Sequence, residues 1–120
     1  MCIRDSYRTS RDLLHWSERA VAYTDPTTGT WASDTESPHV VSRDGSYYLF
    51  IGPCGGYSGR NGYTCTDVVK SANPFRFEPK AKVGRIKAHA AEVVQDEAGR
   101  WFVSHAGWAQ GGVYLAPISW

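Results

Sequence analysis

Apolar residues in this chain come in short β-prone runs broken by turn formers, and the clearest case lies between Pro38 and Ile51. Val40 and Val41 are β-branched, and Tyr47 to Ile51 is aromatic and aliphatic. The Asp44-Gly45 dipeptide between them supplies the positive φ of a tight hairpin turn. Pro38 cannot donate to a sheet ladder, so it belongs at the first residue of its strand. Glu36 then falls just ahead of the strand, at a mouth rather than in the hydrogen-bonded body.

The pattern repeats. Pro38-His39-Val40-Val41 through Gly45-x-Tyr47-Tyr48-Leu49 returns as Ala91-Glu92-Val93-Val94 through Gly99-x-Trp101-Phe102-Val103, with one residue added in the turn. Ser10-x-Asp12-x-Leu14-x-Trp16 returns as Ser71-x-Asn73-x-Phe75-x-Phe77. Each unit reads as an inner strand, a turn, an aromatic second strand, a Gly-rich connection, a third strand, and a short outer strand opened by Ser-x-Asp/Asn. The first full unit is predicted at about Pro38–Arg43, Tyr47–Gly52, Tyr63–Lys70 and Phe75–Glu78. The second runs Ala91–Asp96, Trp101–His105 and Val113–Ile118, and stops at Ser119-Trp120, where its outer strand would begin.

Repeated sets of four short antiparallel strands are the sequence form of a β-propeller blade. The predicted class is therefore all-β, a β-propeller fragment of about two four-stranded antiparallel blades. A sandwich is the structural alternative. A propeller needs at least about four blades to close its ring, so the chain reads as part of a larger domain. Its end blades would then present unpaired strand edges.

Aligning Val40 with Val93 puts Glu36 opposite His89, each ahead of an innermost strand, so neighbouring blades should present both residues at one end of the axis. The connections Gly52–Gly62 and Ala106–Gly112 return to that same end and bring Tyr57, Arg60 and Trp108 near it; the turns at Asp44-Gly45 and Glu97–Gly99 belong on the opposite face. A carboxyl group at a mouth walled by aromatics gains, through desolvation, the character that a general acid needs near neutral pH. The plainer alternative is that Glu36 caps a turn or pairs with an arginine, and that His89 is a hydrogen-bonded structural histidine. Trp31 and Trp108 fall in loops, where flat indole faces suit the apolar faces of sugar rings. Trp16, Trp101 and Trp120 fall in strand patterns and are predicted in the core. Asp34, His105 and Glu92 carry no assignment, although Glu92 is placed where it would be buried and paired.

Composition narrows the class. With 120 residues, 42% hydrophobic and 13% aromatic, the chain can bury one modest core. Its 13 basic and 12 acidic residues give a net charge of +1 without runs, so no nucleic-acid or membrane partner is expected. No apolar run approaches the ~20 residues that span a bilayer, and Met1 to Ser6 lacks the plan of a signal peptide; localisation stays open. That opening segment matches nothing downstream, so residues 1–9 are set apart as a non-native or disordered start, and 10–120 as the partial propeller. Cys54 and Cys65 flank a Gly-rich loop and fit no zinc spacing; they read either as two free thiols or, in a secreted chain, as a bridge. No metal ligand set and no cofactor is expected.

Glu36-Ser37-Pro38-His39 followed by Asp44-Gly45-x-Tyr47-Tyr48-Leu49-Phe50 resembles the Glu-x-Pro motif and hairpin of glycoside hydrolase family 43 and the related family 32. Ser10-x-Asp12-Leu13-x-His15-Trp16 resembles an element common in those five-bladed propellers, and Ala88-His89-Ala90 resembles the Gly-His-Gly segment of a later blade, with alanines in place of glycines. The resemblance covers roughly Ser10 to Trp120. It implies a glycosidase acting on a carbohydrate substrate, with Glu36 as the general acid; His89 at the axis, with Trp31, Tyr57 and Trp108, is then expected to bind substrate and shape the sugar subsites. Such chemistry takes two carboxylates. The family's partner carboxylate comes from an early blade with no matching segment here, so the chain resembles the C-terminal blades of the catalytic domain and is expected to be inactive alone. A calcium ion in the channel, present in some relatives, is left open. Two other classes stay in view: a non-catalytic carbohydrate-binding propeller, and an interaction scaffold.

Overall fold

The computed structural model describes residues 4–25, 35–54, 64–107 and 110–120. The chain is all-β, built from three antiparallel sheets, and the described residues contain no α-helix. The first sheet pairs β1 (Arg4–Tyr7) with β2 (Ala20–Thr24). The second is a four-stranded meander in chain order: β3 (Glu36–Arg43), β4 (Ser46–Gly52), β5 (Thr66–Ser71) and β6 (Lys82–Ile86). The third joins β7 (Val93–Gln95), β8 (Trp101–His105) and β9 (Tyr114–Pro117).

The β3–β4 hairpin forms where the sequence places it. Asp44 and Gly45 have φ of 49° and 72°, the doubly left-handed turn whose twist matches the flanking strands, and Arg43 pairs with Ser46. In the third sheet the longer turn closes through Asp96, whose carboxylate accepts the N–H groups of Ala98 and Arg100 at 3.0 and 2.8 Å. Both hairpins keep the same register, Val40 opposite Leu49 and Val93 opposite Val103.

The placement of the outer strand is corrected. Phe75–Glu78 is not the outer strand; β6 takes that place, followed outward from β5 by way of a 3-10 turn at Pro79–Ala81. The reason lies in the Ser-x-Asp/Asn element, which builds a turn instead of opening a strand. The N–H of Asn73 donates to Ser71 Oγ at 3.0 Å and that of Phe75 to Asn73 Oδ1 at 2.9 Å. In the first copy the N–H of Asp12 donates to Ser10 Oγ at 3.3 Å and that of Leu14 to Asp12 Oδ1 at 2.9 Å. Side chains of this kind offer the backbone an alternative to the ladder, so the recurrence marks a shared turn, between β1 and β2 in the first sheet and between β5 and β6 in the second. Within the opening segment, residues 4–7 form β1 and pair with β2.

The inner strands of the middle sheet, β4 and β5, are buried on both faces. Leu49, Ile51 and Val69 pack with Tyr23 of the first sheet and Phe77, and Phe50 and Val68 pack with Ala88, Ala91 and Val93 on the side of the third sheet. Alternate residues of β4 thus point into two different cores, as the period-2 geometry of a strand requires. Burial and the carboxylates of Asp25, Asp67 and Asp5 push the Tyr23 hydroxyl up to about 12. Phe77 also donates its N–H to the Ala22 carbonyl at 2.8 Å, tying the second turn to the first sheet. Trp16, its counterpart in the first turn, is 53% exposed rather than in the core, with Nε1 donating to the Leu13 carbonyl. Trp120 is half-exposed but lies edge-on to Tyr48, Phe50 and Trp101. Glu92 is exposed, not buried.

Cys54 and Cys65 are joined by a disulfide with their Cα atoms 5.5 Å apart, and it closes the connection between β4 and β5. Cross-linking a loop of this size stabilises a fold by about 3 kcal/mol, chiefly by restricting the unfolded chain. Thermal melting with and without reductant should therefore differ by roughly 10 °C. Coincident melts, with reduction verified by thiol counting, would show that the crosslink adds nothing.

Candidate functional site

Glu36 and His89 meet. The Oε1 of Glu36 lies 3.8 Å from Nε2 of His89, with the glutamate side chain 44% exposed and the imidazole 13% exposed. The distance suits an ion pair when the ring is protonated, or one intervening group able to exchange a proton with both. Glu36 is the first residue of β3, opposite Gly52, so it sits at the strand's end instead of ahead of it.

A repeated backbone device brings the two side chains together. Ser37, directly after Glu36, has φ 51°, and Ala90, directly after His89, has φ 49°. This left-handed conformation costs a residue with a Cβ about 1–2 kcal/mol, and strain held at matching positions in two units marks a shape the fold maintains. In β3 the kink coincides with a register shift between Glu36 and His39.

The first strands of the two units are adjacent, because the Nε2–H of His39 donates to the Val93 carbonyl at 3.1 Å. His89 is further fixed from three directions. Thr66, fully buried, donates its hydroxyl to the Ala88 carbonyl at 2.7 Å. The Ala106 N–H donates to the His89 carbonyl at 2.9 Å, and the His89 N–H donates to Nδ1 of His105 at 2.8 Å. The residue aligned with Ala88 in the first unit is Thr35, whose hydroxyl donates to Asp5 Oδ2 at 3.0 Å. In each unit, therefore, the residue preceding the site residue is tied to a strand of the sheet before it, Ala88 to β5 and Thr35 to β1.

Of the residues assigned from sequence, Glu36 and His89 are brought together. Trp31, Tyr57 and Trp108 lie outside the described residues, as do Arg60 and Asp34. Among the described residues no group of three His, Cys, Asp or Glu side chains is arranged to hold a metal ion. Sequence reasoning gave no role to His39, Thr66 or His105. Of these only His105 was singled out, as a polar residue without assignment at the end of β8. No family model matches this chain, and no curated protein gives a significant match to it.

Proposed function

We propose that this chain is part of a propeller glycoside hydrolase, resembling families 43 and 32, with Glu36 as the general acid that protonates the leaving glycosidic oxygen. The observation that carries the reading is the approach of Glu36 to His89 at 3.8 Å, two residues of the right chemical types at matching ends of adjacent first strands. The propeller is favoured over the sandwich by the middle sheet. A sandwich gives each sheet one inner and one outer face, whereas here both faces of β4 and β5 are buried against successive sheets.

The chemistry follows from a carboxylic acid beside a basic ring. Glu36 donates its proton to the departing oxygen as the glycosidic bond breaks, and a second carboxylate either activates water or attacks the anomeric carbon. The proposal assigns that partner to polypeptide outside these 120 residues. His89, held by its neighbours, orients a sugar hydroxyl or the Glu36 carboxyl at the axis. Trp31, Tyr57 and Trp108 supply the flat apolar faces for sugar rings.

The test is incubation of the complete polypeptide with plant-type and fructan oligosaccharides in phosphate-free buffer. Release of reducing sugar is the expected result. Saturable binding with no product would instead assign a carbohydrate-binding module, and turnover only with added phosphate a phosphorylase. Neither binding nor turnover would leave a scaffold.

A further inference from the structure

We infer that His105 is a positioning residue for this site: its Nδ1, by accepting the His89 N–H, holds the main chain so that the His89 imidazole faces Glu36. The inference rests on Glu36 and His89 forming the site.

The internal repeat shows that the fold does not itself ask for histidine here. With Leu49 opposite Val40 and Val103 opposite Val93, the counterpart of His105 is Ile51, which is 2% exposed and belongs to the core. The second unit thus replaces a core isoleucine with a ring that can accept a hydrogen bond, and directs it at the N–H of the very residue opposite Glu36. An isoleucine would serve strand packing as well or better.

The backbone around His89 explains why an acceptor matters. The segment Ala88-His89-Ala90 precedes β7, which begins only at Val93, and there the His89 N–H is held by a side chain, at 2.8 Å from His105 Nδ1. Ala90 at φ 49° turns the chain away from the extended path. Acceptance by Nδ1 requires His105 in its neutral form with the proton on Nε2. The ring orientation is set by Tyr114, its cross-strand neighbour, stacked at 5.9 Å between centroids. Tyr114, His105 and the His89 N–H therefore form a chain of contacts from β9 to the site.

NMR on the 120-residue chain tests this directly. An N–H···N hydrogen bond transmits a scalar coupling between the His89 amide nitrogen and His105 Nδ1, which is expected in the wild type. His105→Ile, the repeat's own residue, should abolish the coupling, speed exchange of the His89 amide by about tenfold, and remove the nuclear Overhauser contact between the His89 ring and the Glu36 methylenes. His105→Asn, whose Oδ1 can stand where Nδ1 stood, should keep that contact and the amide protection. Cross-strand contacts between Val93 and Val103 report whether each variant is folded.

The inference is overturned if folded His105→Ile keeps the Glu36 contact, or if His105→Asn loses it. If His105→Ile fails to fold, the scalar coupling and His105→Asn decide the matter, and absence of the coupling in the wild type overturns it. None of these readouts measures turnover. A complete polypeptide without hydrolase activity therefore refutes the proposed function and leaves the role of His105 standing, whereas a missing Glu36 contact in the wild type refutes the site itself.

Discussion

Replacement of Glu36 by alanine in the complete polypeptide is expected to slow cleavage of a glycoside with a poor, alkyl-type leaving group by about 10²–10⁴-fold, the usual worth of a positioned general acid. The same variant should lose far less on a nitrophenyl glycoside, because that leaving group departs as a stable anion and needs little protonation. The difference between the two substrates separates an acid from a residue that merely shapes the pocket, which would slow both alike. Glu36 stands at the end of β3, 3.8 Å from His89, with its side chain 44% exposed. Equal losses on both glycosides would remove Glu36 from the acid role, and no loss on either would remove it from the site.

Phe50→Ala should be the most damaging core substitution, at about 3–5 kcal/mol by denaturant unfolding. Phe50 is 1% exposed and packs with Val68, Ala88, Ala91 and Val93 between the second and third sheets. Trp120 meets its ring edge-on at 6.1 Å. Removal leaves a cavity bounded by two sheets that cannot both close over it. A small domain has only about 5–15 kcal/mol in total, so the variant should be near its unfolding threshold. Leu14→Ala, at an 80% exposed turn position, should change stability by no more than about 0.5 kcal/mol. A similar small change for Phe50→Ala would mean that the third sheet does not dock on the second as described.

The sequence reading succeeded where chemistry is local. The Asp44-Gly45 turn, the aromatic second strand and the alignment of the two hairpins needed only period-2 patterning and turn residues, and the opposition of Glu36 and His89 followed from that alignment. It failed where a short polar motif competes with the ladder. Ser10-x-Asp12 and Ser71-x-Asn73 are equally compatible with the start of a strand until their side-chain hydrogen bonds are seen, and misplacing the strand there hid β6, whose Lys82-Val83-Gly84-Arg85-Ile86 is interrupted by glycine. The positive φ of Ser37 and Ala90 was also invisible, since neither residue type announces it. Residue 105 was legible only as an oddity, because its partner is the His89 N–H beside the kink at Ala90, which no local signal announces. The tie between Cys54 and Cys65 was left open for the same reason: spacing permits it, and only the β4–β5 pairing brings the two ends within reach.

The two hairpin turns differ by one residue, yet the strands above them share a register and the kinks after Glu36 and His89 share a backbone angle. Length variation at one rim is absorbed within the turn itself and never travels along the ladder to the other. The molecule is therefore modular along its strands as well as between its repeats: a one-residue difference at the turn leaves the register of the hairpin and the kinks after Glu36 and His89 unchanged.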